Sequence, residues 1–137
     1  MTEKASDTER ATEKWGDAAI AGFQTLPDIL LKKQVELGLS ATDMLVLVNL
    51  TLHWWYRDQR PFPRSATIAK RMGVEPRTVQ RSLKKMIDTG QLARVEEEDE
   101  AGETRHVIDL SALVERLELY ARQDEHFQYR KNKAKAA

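Results

Sequence analysis

The segment TIAKRMGVEPRTVQRSLKKMIDTG, from Thr67 to Gly90, constrains this chain more than any other. Ile68, Ala69 and Met72 fall on one face of a short helix. Gly73 stops that helix, because glycine enters the left-handed conformation past a helix end at little cost. Pro76 suits the first turn of a new helix, where its missing N–H has no intrahelical acceptor to lose. Val79, Leu83, Met86 and Ile87 give the second helix its inner face, and Gly90 ends it. Two helices separated by so short a turn must cross closely. The crossing asks for a small residue in the first, a glycine between them and an apolar anchor in the second. Ala69, Gly73 and Val79 meet those demands in order. The spacing predicts a helix-turn-helix.

The flanking sequence supplies what such a unit needs to become a domain. Leu39 to Tyr56 reads as a helix, with Ser40 as N-cap and Asp43 three residues on in the manner of a capping box. Leu39 and Met44 are placed to staple its start. Met44, Leu45, Val48, Leu52 and Trp55 form one apolar stripe, while Val46, Leu47, Leu50 and Trp54 lie off it, so the helix is expected to be central and apolar on several sides. RDQRPFP breaks the chain. QLARVEEE and ETRHVIDL are strand-like runs around a turn marked by Gly102. Asp109 or Ser111 is expected to cap a last helix with Leu110, Leu113, Leu117, Tyr120 and Phe127 on its apolar side. Upstream, a short helix is expected to dock Trp15 and Ile20, and Pro27 to open another that packs Ile29, Leu30 and Leu31 inward. The expected fold is mainly α with a small β-hairpin: a winged helix-turn-helix with a three-helix core, a wing and a C-terminal helix. Residues 1–21 read as a partly flexible extension, 22–110 as the domain, and 111–137 as a C-terminal helix and basic tail.

This arrangement resembles bacterial winged helix-turn-helix DNA-binding proteins, through TIAKRMGVEPRTVQRSLKKMIDTGQLAR. The wider run, from GFQTLPDILL through LGLSATDMLVLVNLTLHWW to IDLSALVERL, is similar to helix-turn-helix proteins of plasmids, phages and related mobile DNA. The resemblance covers residues 22–117 and implies double-stranded DNA binding through the second helix of the motif. It does not choose between transcriptional regulation and a replication or partition role.

Net charge is zero, but it is unevenly spread. Residues 64–94 hold eight bases and two acids, whereas 95–104 hold six acids and no base. Separated blocks make a local positive field that a neutral total hides. With Val79 inward, Arg77, Arg81, Lys84 and Asp88 face outward, flanked by Thr78 and Lys85 on one edge and Gln80 on the other. The first turns of a recognition helix reach base edges, so Arg77, Thr78, Gln80 and Arg81 are the expected base readers. Lys84 and Lys85 are expected on phosphates, as are Arg64, Ser65 and Thr67 at the start of the preceding helix and Arg94 and Arg105 at the hairpin's base. The acidic wing, 96–103, would be repelled by phosphate. It either points away from DNA, serves a protein partner or lowers non-specific binding.

Other chemistries find little support. Cysteine is absent, so there is no thiolate site. His53, His106 and His126 lack metal-ligand spacing, and Trp54 and Trp55 read as core. No nucleophile arrangement, glycine-rich phosphate loop or catalytic carboxylate pair stands out. The expectation is a cytoplasmic, non-enzymatic protein without cofactor or membrane segment; its last helix either covers the domain's own core or pairs with a second copy, and a homodimer is expected. Duplex DNA is its partner, and the expected role is transcriptional regulation through helix 76–89 in the major groove, with a replication-initiation or partition factor of a plasmid or phage as the alternative. A winged helix that binds only protein, through the acidic hairpin and the tryptophan region, is the competing reading.

Overall fold

A computed structural model describes residues 6–136. The first five residues of the expected N-terminal extension lie outside the described part. The chain runs α1 (Asp7–Trp15), α2 (Asp17–Ile20), α3 (Asp28–Lys32), α4 (Ala41–Thr51), α5 (Ser65–Met72), α6 (Pro76–Asp88), β1 (Ala93–Glu98), β2 (Thr104–Asp109), α7 (Ser111–Gln123) and α8 (Phe127–Ala136). This is a winged helix-turn-helix: α4, α5 and α6 enclose the core, and β1 and β2 form the hairpin after them.

The capping box of α4 is complete. Ser40 Oγ accepts from the Asp43 N–H at 3.1 Å, and Asp43 Oδ2 accepts from the Ser40 N–H at 2.9 Å. The helix stops at Thr51, five residues short of the expected end, because His53 and Trp54 take up turn hydrogen bonds to Leu50 and Thr51. Its buried side is Asp43, Val46, Leu47 and Leu50. The burial falls on the residues off the regular stripe, and the stripe itself is only partly covered. Met44 is half-buried, but Leu45 and Leu52 are exposed, and Trp55 is 78% exposed. Trp54 does pack against the core.

The crossing of α5 and α6 follows the sequence closely. Ile68, Ala69, Val79 and Leu83 are fully buried, with Met86 beside them. Gly73 has φ +68°, and the Val74 N–H reaches back to the Ala69 carbonyl at 3.0 Å, so the turn reverses on a residue without a side chain. Burying side chains of this size contributes roughly 1.5–3 kcal/mol each.

The strands pair antiparallel, with Val95 opposite Val107 and Glu96 opposite His106. Val107 and Ile108 are buried, and the Ile108 N–H donates to the carbonyl of buried Pro61 at 2.8 Å, which ties the proline segment to the edge of β2. No side chain caps α7 at its N-cap, which is Leu110; Asp109 Oδ1 instead accepts from the Ser111 N–H at 2.7 Å. Leu110, Leu113 and Leu117 close the core from behind, together with Leu30 and Leu37.

The N-terminal part departs from expectation. Ser6 and Glu9 form a capping box that starts a regular helix, α1, inside the expected extension. Trp15 and Ile20 do not dock: they are 65% and 72% exposed, and Ala19 is the buried residue of α2. In α3 Leu30 is buried and Ile29 half-buried, but Leu31 is exposed. A helix of five residues can turn only one narrow edge inward. At the other end, the basic tail is helical as α8.

Candidate nucleic-acid interface

The outward face of α6 is built by its inward one. Val79, Ser82, Leu83 and Met86 lock the rotation of the helix, which leaves Arg77, Gln80, Arg81 and Lys84 exposed. Thr78 is half-buried. Glu75 sits at the N-cap without a side-chain cap; Pro76 at the first helical position has no N–H, and the Thr78 N–H donates to the Glu75 carbonyl at 2.9 Å. Among the described residues Arg77 and Arg81 have no ion-pair partner on the protein. Their planar donor forks are free for bidentate contacts.

The two lysines differ from these arginines and from each other. Lys84 pairs with Asp88 one turn on at 2.8 Å, both largely exposed, which is a weak and easily exchanged contact. Lys85 donates to Asp43 Oδ2 at 2.6 Å. Asp43 is only 2% exposed, and its Oδ1 accepts from the Ser82 hydroxyl at 2.7 Å. Burial raises the Asp43 pKa, but Lys85, the Ser40 N–H and the hydroxyls of Ser82 and Ser40 outweigh it and hold the carboxyl below the usual carboxylate range. The wheel placed Lys85 at the edge of the outward face; its ammonium is turned inward onto this carboxylate.

Arg64 and Arg105 are brought together by a residue the sequence reading passed over. The Arg64 guanidinium lies 5.6 Å and that of Arg105 5.1 Å from the Phe62 ring centre. Phe62 thus gathers two cations from the start of α5 and from β2 onto one half-buried ring. The signal was present as an aromatic between two prolines, PFP, which fix its backbone. Arg64 holds the one left-handed non-glycine backbone among the described residues, φ +47°, a conformation that costs on the order of 1 kcal/mol. Ser65 is half-buried and Thr67 exposed along α5, and Arg94 is exposed on β1. His53 lies against Arg71, with 3.2 Å between His53 Nε2 and the guanidinium. Burial, with Arg64 and Arg71 nearby, lowers its pKa, so the ring adds no charge at neutral pH.

The hairpin's acidity is partly internal. Arg60 donates to Glu97 at 2.9 Å and to Asp109 at 2.8 Å, and Arg105 lies 3.8 Å from Glu97. Hydrogen bonds from Ser111, with Arg60 beside it, hold the Asp109 pKa below the ordinary range. Glu96, Glu98 and Glu100 remain exposed. The described residues contain no group of histidines and carboxylates able to hold a metal ion, and no helix long and apolar enough to cross a membrane.

A basic, anchored second helix, a free outward face and a hairpin beside it define the winged helix-turn-helix class. Residues 26–128 match the model of the DnaD N-terminal domain, and the chain belongs to that family. Among solved structures it is similar to a possible transcriptional regulator from Methanosarcina mazei Go1, at 18% identity and a TM-score of 0.41, with 77% of this chain and 85% of that one covered. No curated protein matches it.

Proposed function

We propose that this protein binds double-stranded DNA by laying α6 in the major groove. Arg77, Gln80 and Arg81 then read base edges, with Thr78 at their margin, and Lys84, Arg64, Ser65, Thr67, Arg94 and Arg105 take phosphates. The observation that carries the reading is the free, solvent-facing pair Arg77 and Arg81 on a helix whose opposite face is buried at Val79, Ser82, Leu83 and Met86. Membership in the DnaD N-terminal domain family supports a role in DNA replication over transcriptional control.

A partner copy of a homodimer would meet the last helix only through the hollow that Leu113 and Leu117 line, because both are otherwise spent on the protein's own core. Exposed Trp15, Ile20, Phe23, Leu26 and Trp55 support a pairing face around the α2–α3 loop and the end of α4 instead. An apolar hollow of about 630 Å³ opens there. The acidic wing tip lowers non-specific attraction to phosphate.

The test is duplex binding against salt concentration, for the wild type and for Arg77→Ala/Arg81→Ala. The wild type is expected to bind, with affinity falling steeply as salt rises, and the double variant to lose the preferred site. Binding by the wild type to no duplex in dilute buffer contradicts the proposal.

A further inference from the structure

Asp43 is a charged residue at the foot of the recognition helix, and its surroundings are unusual for a helix cap. A capping aspartate needs only the N–H groups of its own helix. Asp43 satisfies those of α4 and also takes the Ser82 hydroxyl at 2.7 Å and the Lys85 ammonium at 2.6 Å, both from α6. Ser82 and Lys85 lie three residues apart, on adjoining rows of one helix face, so one buried carboxylate grips α6 at two points. Such a grip fixes how far α6 can rotate about its axis.

The same contact has an electrostatic result. The Lys85 side chain is about half exposed, within reach of the outward side, yet its charge is cancelled by a carboxylate behind it. A lysine on phosphate adds affinity for every sequence alike; a helix set at one rotation adds affinity for one sequence. We propose that Asp43 is a positioning and specificity-determining residue of this interface. It holds α6 at its reading angle through Ser82 and withdraws Lys85 from the phosphate backbone, so that its loss exchanges selective for unselective DNA binding. The inference rests on the duplex-binding reading above, and it reassigns Lys85, which the sequence placed on phosphate.

The experiment compares the full chain with Asp43→Asn, Lys85→Gln and the double variant. Each is titrated with salt on its preferred duplex and on a scrambled one. Asn keeps an acceptor for the Ser40 N–H while losing the charge. Asp43→Asn is expected to steepen the salt dependence by about one phosphate contact and to cut the preference for the selected duplex roughly tenfold. Lys85→Gln is expected to leave the salt slope at the wild-type value, and the double variant to return to it. A purely structural Asp43 predicts no such return. Unchanged slope and preference in folded Asp43→Asn overturns the inference. So does a shallower slope in Lys85→Gln, which stays decisive if Asp43→Asn does not fold. A wild type that binds no duplex overturns the proposed function and this inference with it, whereas a wild type that binds while the variants behave alike overturns the inference alone.

Discussion

Two helices of this protein, α6 and α8, are both basic, and they differ in everything else. α6 carries Arg77, Arg81 and Lys84 on one side and a fully buried Val79, Leu83 and Met86 on the other. α8 carries Arg130, Lys131 and Lys133 with no acid among them, and Phe127 alone of its described side chains is not exposed. Among the described residues its ion pair to another helix is Arg130, 3.8 Å from Asp28 of α3. Positive charge attracts DNA wherever it sits, but only a helix whose rotation is fixed can present the same donors to the same base each time. On the proposed function, anchorage would give α6 its selectivity, and the charge of α8 would give attraction alone.

The comparison can be broken at several points. The largest effect is expected at the anchor: Leu83→Ala should lower unfolding free energy by about 3–4 kcal/mol in a denaturant titration, since it empties a fully buried site where α4, α5 and α6 meet. A loss under about 1 kcal/mol would mean that α6 is less firmly seated than its burial implies. Next, Asp43→Ala removes the acceptor of the Ser40 N–H and the bonds to Ser82 and Lys85 together, with an expected cost of about 2 kcal/mol. Acid should reproduce part of this. The Asp43 and Asp109 carboxyls lie below their ordinary pKa in the folded protein, so their stabilisation is complete above about pH 4 and is lost as pH falls through their folded values. Melting temperatures from pH 7 down to 2.5 check the direction, and Asp43→Asn should flatten the acid limb.

On the DNA side, Arg81→Ala is expected to weaken binding to a preferred duplex by roughly 1–3 kcal/mol and to relax one base position. An equal loss on all sequences would move Arg81 into the phosphate class. The smallest effect belongs to α8. Replacing Lys131 and Lys133 by Gln should leave folding stability and base preference within about 0.5 kcal/mol of the wild type. A change in base preference would give α8 a reading role and undo the contrast.

What could be read from the sequence follows from how local each signal is. The turn at Gly73, the start at Pro76 and the box at Ser40 and Asp43 depend on neighbours within four residues, and all three hold in the structure. The apolar side of α4 was not legible, because leucines, valines and tryptophans surround that helix and the burial choice is made by α5 and α6, far along the chain. Exposed Trp15, Ile20 and Leu31 were misjudged for the same reason: apolar character reports affinity for a core, not access to one. At the interface, Arg77, Gln80 and Arg81 lie outward as the helical wheel indicates. The wheel could not show that Lys85 bends back to Asp43, 42 residues earlier, or that Phe62 collects Arg64 and Arg105. Those contacts join segments that only the tertiary fold brings side by side.

Selection of binding sites from random duplex DNA tests the central claim most directly. If α6 reads bases, the wild-type protein should enrich one short motif, and Arg77→Ala/Arg81→Ala should enrich none while still folding. Recovery of no motif by the wild type, or of the same motif by the double variant, would contradict the account.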